Sequence, residues 1–229
     1  MPSSQTKPIP ALASRPLLIG LVVAVVAGLG FLLLARGVLG DQFGSINQHL
    51  LLAIHAYESP FLTAAARTLS FIGSAIGVVI IGGAVCVYWV RKRRNVDAWM
   101  LGVLLVGCAL ITEAMKQVFQ QARPQVFPPL EAIFNFSFPS GHTLTSFSFA
   151  LFVSVLMLRR GRPTAKRWGI AVGLLATAAL IASSRMYLGV HWPTDVAAGM
   201  LVAAIWASTC LMTRRWVLTR RMRRQSASR

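Results

Sequence analysis

Long apolar runs separated by short basic clusters dominate the chain, and six of them approach the roughly 20 residues that a helix needs to cross a bilayer. They cover residues 17–39, 68–90, 98–119, 142–158, 168–184 and 196–213. The pattern predicts an all-α polytopic membrane protein with six transmembrane helices. A single membrane domain then fills residues 1–229, with an N-terminal tail at 1–16 and a basic C-terminal tail at 214–229. The third to sixth runs are short if charges count as their ends, because polar residues intrude at one end of each. Between the first two runs, Phe43, Ile46, Leu50 and Ile54 recur at near-helical spacing and predict an amphipathic helix lying on the membrane. The stretch 120–140 carries prolines at 124, 128 and 129, so the alternation of Phe134, Phe136 and Phe138 reads as a loop with membrane-facing anchors rather than a strand. Gly73 and Gly77 read as a small-residue packing motif within the second span.

Composition supports a membrane class. Of 229 residues, 55% are hydrophobic and only 13% charged, more apolar surface than a soluble globule of this length can hide. A net charge of +17 would suggest nucleic acid in a soluble protein, but the distribution excludes that partner. Of the 23 Lys and Arg, 18 fall on alternate sides of the spans, in the N-terminal tail, at 91–94, at 159–167 and from 214 onward. By the positive-inside rule both termini are cytoplasmic and the other connections face outward. Trp89, Trp99, Trp168 and Trp216 flank the same basic runs, as an inner aromatic belt does. Lys7 and Arg15 precede the first run as in a secretory signal, but the run ends in Arg36 without a small-residue cleavage site, so a retained span is expected. Cys86, Cys108 and Cys210 lie inside apolar runs and read as packing residues. The C-terminal arginines read as a topology determinant that also binds anionic lipid.

The intruding polar residues carry the candidate chemistry. Lys116 and Arg123 flank the outer end of the third span, and Ser140, Gly141 and His142 open the fourth after Pro139. Ser184 and Arg185 close the fifth, and His191 precedes Asp195 at the start of the sixth. With the N-terminus inside, these four helix ends share the outer side. Ionisable groups at membrane depth are costly and point to function. Lys116, Arg123 and Arg185 supply charge-assisted hydrogen bonds to phosphate oxygens, and the amides of Ser140, Gly141 and His142 form an anion site at a helix N-terminus. One histidine then attacks phosphorus while the other protonates the leaving oxygen. Asp195, four residues after His191, is placed to take the proton of one imidazole nitrogen and leave the other nucleophilic. That assigns His191 as nucleophile and His142 as general acid. His49 and His55, on the amphipathic segment, read as interfacial rather than catalytic.

Lys116 through Arg123-Pro124, then Pro139-Ser140-Gly141-His142, then Ser184-Arg185 with His191 and Asp195, resemble the three signature motifs of the type 2 phosphatidic acid phosphatase (PAP2) superfamily. The resemblance covers residues 116–195 and implies a six-helix PAP2-like bundle, a phosphohistidine intermediate and no required metal or other cofactor. It gives the second-motif histidine the acid role and the third-motif histidine the nucleophile role, the same assignment. Gln125 and Val126 stand where many members carry a further basic residue, which bears on recognition beyond the reacting phosphate. The expectation is a bacterial plasma-membrane enzyme acting on a membrane lipid phosphate or diphosphate at the outer face. Undecaprenyl diphosphate, phosphatidylglycerol phosphate, phosphatidic acid and a phosphorylated lipid A all fit. Transfer of the phosphoryl group to an alcohol acceptor shares the first half-reaction and stays open, as does oligomeric state. A headgroup binder or transporter would carry internal repeats or paired broken helices, and the sequence displays neither.

Overall fold

The computed structural model describes residues 11–227. Lys7 with the rest of residues 1–10, and Ser228 and Arg229 of the basic C-terminal run, lie outside the described residues. The chain forms α1 (Ala11–Leu39), α2 (Gly44–His55), α3 (Pro60–Gly73), α4 (Ala75–Arg91), α5 (Asn95–Phe119), α6 (Gly141–Leu158), α7 (Ala165–Tyr187) and α8 (Pro193–Ala227), with no strand among the described residues. Five of these, α1, α5, α6, α7 and α8, are long and apolar enough to cross a membrane. Helices α3 and α4 together are long and apolar enough to make a sixth span, but the pair is bent by 55° where the sequence reads as one continuous span.

Ser74 makes the bend. Its backbone is extended, its Oγ donates to the Phe71 carbonyl at 2.7 Å, and the same Oγ accepts from the Gly77 amide at 3.3 Å, so one residue closes α3 and opens α4. A Cβ on Gly77 would run into the carbonyl oxygens of Phe71 and Ile72. Gly77 therefore serves the bend rather than helix packing, while Gly73 lies against Ile181 and His142.

Helix α2 forms where the amphipathic pattern predicts a helix, with its apolar stripe turned outward. Ile46 and Leu50 are exposed, whereas Asn47 and Leu51 are buried against the bundle. Helix α1 packs along α8, α8 against α6, and α6 lies beside α5 and α7. The largest core cluster joins Leu101, Leu104, Phe152 and Trp89. Trp89 is thus a core residue, unlike Trp99, Trp168 and Trp216, which stay exposed. Phe138 likewise departs from the expected anchor role: it is fully buried, 4.6 Å from the ring of Phe119, while Phe134 stands 99% exposed.

At the end where the basic residues gather, buried Asp97 accepts from Arg94 at 2.6 Å and from Arg214 at 2.5 Å, tying α5 to α8. Helix α8 does not stop at 213. Its 35 residues extend about 52 Å, against a hydrocarbon core of about 30 Å, so the arginines from 214 continue on the same helix beyond membrane depth.

Candidate functional site

The C-terminal ends of α5 and α7 and the N-terminal ends of α6 and α8 meet at the end of the bundle opposite the basic clusters, closed over by the connection 120–140. The joints are specific. The Ser140 amide donates to the Asp195 carbonyl at 3.0 Å and joins α6 to α8. Trp192 Nε1 donates to the Ala122 carbonyl at 2.9 Å and joins the start of α8 to the loop after α5. A Cβ on Gly199 would come within 2.9 Å of the Ser140 carbonyl oxygen, so α8 approaches α6 this closely only with glycine there.

Arg185 occupies the last turn of α7 and is fully buried. Its Nη1 donates to Glu131 Oε2 at 2.8 Å and also to Ser70 Oγ. Its Nε and Nη2 have no hydrogen-bond partner. Buried charged donors left open are expensive, and an anion entering the site satisfies them. Lys116, one turn before the end of α5, is only 8% exposed, with Arg123, Glu113, Asp195 and Arg185 as its charged neighbours. Arg123 is held by carbonyl groups: Nε donates to Asn135 O at 2.7 Å, Nη1 to Val190 O at 2.5 Å, and Nη2 to Asn135 Oδ1 at 2.6 Å. These bonds place its guanidinium next to the residue that precedes His191. Burial and the neighbouring Arg185 push Arg123 down to about 10, still cationic at neutral pH.

His191 lies in the turn between α7 and α8 and is buried. Its Nδ1 faces Asp195 Oδ2 at 3.2 Å; with that carboxyl ionised, Nδ1–H is the donor and Nε2 carries the free lone pair. The same Asp195 oxygen accepts from the Trp192 amide at 2.8 Å, so the carboxylate caps α8 and fixes the imidazole together. Burial first, then the charges of Arg123 and Arg185, hold His191 well below the ordinary histidine value of 6.5, which keeps the ring neutral at pH 7.

Ser140 is the N-cap of α6. Its hydroxyl accepts from Thr143 Oγ1 at 3.0 Å and its amide is spent on Asp195, so the anion site expected at this helix start reduces to the amides of Gly141 and His142. A Cβ on Gly141 would sit 2.9 Å from Thr112 Cγ2, which accounts for glycine at that position. His142, half-buried in the first turn, faces the α3–α4 bend at Gly73. From there a groove of about 410 Å³ runs between α4 and α5, lined by Val78, Val79, Val106, Ala109 and Thr112, and its rim residues Val79 and Val106 are exposed on the lipid-facing side.

All eight residues singled out from the sequence, Lys116, Arg123, Ser140, Gly141, His142, Arg185, His191 and Asp195, are brought to this one end. Sequence reasoning missed Glu131, Ser70 and Asn47. Glu131 pairs with Arg185; burial works to raise its carboxyl, but the hydrogen bond and charge of Arg185, with Ser70, hold it below its ordinary value. As the only acidic residue between Glu113 and Asp195, it offered a signal in a loop whose one other charge is Arg123. Asn47 donates to Thr194 Oγ1 at 3.1 Å and so braces the first turn of α8 from α2, with nothing in its local sequence to announce it. His55 stacks on Phe127 with ring centroids 3.8 Å apart, a support for the loop rather than part of the charged cluster.

The model of the PAP2 superfamily matches residues 97–219. A relative named phosphatidylglycerophosphatase B, from Bacillus subtilis (strain 168), is 27% identical over 175 residues, covering 74% of this chain and 83% of its own. An undecaprenyl-diphosphatase from Sulfolobus acidocaldarius is 34% identical over 122 residues, 51% of this chain and 54% of its own. Among solved structures, a transmembrane PAP2-type phosphatidylglycerolphosphate phosphatase from Bacillus subtilis superposes with a TM-score of 0.72 at 23% identity, over 82% of this chain and 94% of that one, a likeness of fold.

Proposed function

Because the chain belongs to the PAP2 superfamily and is a membrane-embedded phosphoric monoester or diphosphate hydrolase, we propose that it cleaves a lipid phosphate or diphosphate at the outer face of a bacterial plasma membrane through a phosphohistidine on His191. The observation that carries this reading is the pair of unpartnered Arg185 donors, buried beside Lys116, Arg123 and the His191–Asp195 pair. The groove from His142 to the lipid-facing surface supports a substrate whose tail stays in the bilayer. The outward assignment rests on the gathering of basic residues at the opposite end, with the start of α1 and the end of α8 there.

In the first step Arg185 Nε and Nη2, with Lys116 and Arg123, hold the phosphoryl oxygens and the charge that builds on them. His191 Nε2 attacks phosphorus; the bond to the leaving oxygen breaks and His142 delivers a proton to that oxygen. Asp195 keeps the Nδ1 proton of His191 and stabilises the cationic ring formed on attack. In the second step His142 takes a proton from water, water oxygen bonds to phosphorus, and the phosphorus–nitrogen bond breaks to release phosphate and regenerate His191.

The test is phosphate release by purified protein over four lipids: undecaprenyl diphosphate, phosphatidylglycerol phosphate, phosphatidic acid and a phosphorylated lipid A. Turnover of at least one lipid, lost in His191→Ala, supports the reading; equal rates for parent and variant overturn it.

A further inference from the structure

A second groove lies at the other end of the molecule. Pro16, Gly20 and Val23 of α1 form one wall, Leu151 and Val155 of α6 the other, and the small residues of α8, Ala204, Ala207 and Ser208, form its floor. It encloses about 210 Å³, and Arg159 and Arg215 line its mouth. Arg159 follows the last residue of α6, whereas Ser140 precedes the first, so an 18-residue helix, about 27 Å, separates the groove's mouth from the reaction site. With α6 set across a bilayer, the mouth and the reaction site fall in opposite leaflets.

Charge at the mouth is unbalanced. The carboxylate nearest in the fold, Asp97, is engaged by Arg94 and Arg214. Among the described residues no carboxylate pairs with Arg159 or Arg215, and Arg159 experiences the charge of both Arg214 and Arg215. Two like charges above an apolar trough match a partner that is anionic at one end and apolar at the other. A soluble anion would leave the trough empty, and a neutral lipid would leave the arginines unmatched.

We propose that this groove is a binding site for an anionic phospholipid of the leaflet opposite the reaction site, with its phosphate between Arg159 and Arg215 and one acyl chain along the α8 floor between α1 and α6. The lipid completes the packing of α1, which is otherwise joined to the bundle mainly along α8. The site is independent of the hydrolytic reading, because no residue of the reaction site takes part.

The test uses full-length protein in neutral detergent, with retention of phosphatidylglycerol against phosphatidylcholine read by native mass spectrometry. The variants are Arg159→Gln/Arg215→Gln and a charge-matched control, Arg220→Gln/Arg223→Gln, farther along α8. Parent protein is expected to retain phosphatidylglycerol selectively, the groove pair to lose about tenfold or more in affinity, and the control pair to stay near the parent. The groove pair should still release phosphate from the preferred lipid at the parent rate. Three outcomes overturn the proposal: equal retention of both lipids by the parent, equal losses in both variant pairs, or displacement of phosphatidylglycerol by glycerol phosphate at matched concentration.

Discussion

Glu131 Oε2 and Arg185 Nη1 meet at 2.8 Å across 54 positions of sequence, and this ion pair fixes the loop after α5 to the last turn of α7. It gives the buried guanidinium one permanent counter-charge while two other donors remain open for an anion. Removing Glu131 strips that counter-charge. Because its side chain is 33% exposed, Glu131→Gln should cost about 1–3 kcal/mol, below the 3–5 typical of a fully buried pair. The Glu131 carboxyl sits below its ordinary value of 4.5, so its stabilisation is complete above about that pH and is lost as pH falls through the lower folded value. Thermal melts should therefore separate parent from Glu131→Gln at pH 7 and bring them together in acid.

Arg185→Ala should lower turnover by about 10²–10³-fold, since it removes two unpartnered buried donors as well as the partner of Glu131. Arg185→Lys should recover little, because one ammonium cannot occupy the positions of Nε, Nη1 and Nη2 together. Steady-state phosphate release, with melts to verify folding, checks both.

Asp195→Asn leaves the shape of the α8 cap but offers an amide that can present the wrong group to His191 Nδ1. A drop of about 10²–10⁴-fold in kcat is expected, with little change in KM. His142→Ala should fall by a similar factor with a poor leaving group, and less with an activated ester such as p-nitrophenyl phosphate, which needs no protonation. Equal losses on both substrates would contradict the acid role.

His191 is held well below the ordinary histidine value, so the neutral nucleophile persists into acid and the acidic limb of kcat/KM should lie below pH 6.5. Arg123→Gln removes one of the charges that depress it and should shift that limb upward. A pH–rate profile of both proteins reads the sign directly.

Gly199→Ala places a methyl group against the Ser140 carbonyl and should spread α6 from α8, weakening the Ser140–Asp195 joint. An activity loss of about tenfold or more with a lower melting temperature is expected, although residue 199 touches no reacting group.

Periodicity and charge made the spans legible because each is a local property. The intruding polar residues also marked the candidate site, since polar groups in apolar runs are costly and Lys116, His142, Arg185 and Asp195 are brought to one end of the bundle. What stayed hidden depends on tertiary proximity. The α3–α4 bend arises from one serine hydroxyl serving two helix ends. Trp89 and Phe138 are core residues because neighbouring helices cover them, which hydropathy alone does not register. Asn47 matters only because Thr194 lies beside it, 147 positions away.

Covalent transfer to His191 is directly observable. Purified enzyme mixed with lipid carrying labelled terminal phosphate, and quenched within one turnover in alkali, should retain label as an acid-labile, base-stable phosphohistidine that maps to His191 and is absent from His191→Ala. Labelled phosphate released at full rate with no label ever on the protein, or label mapping to His142, would contradict the account.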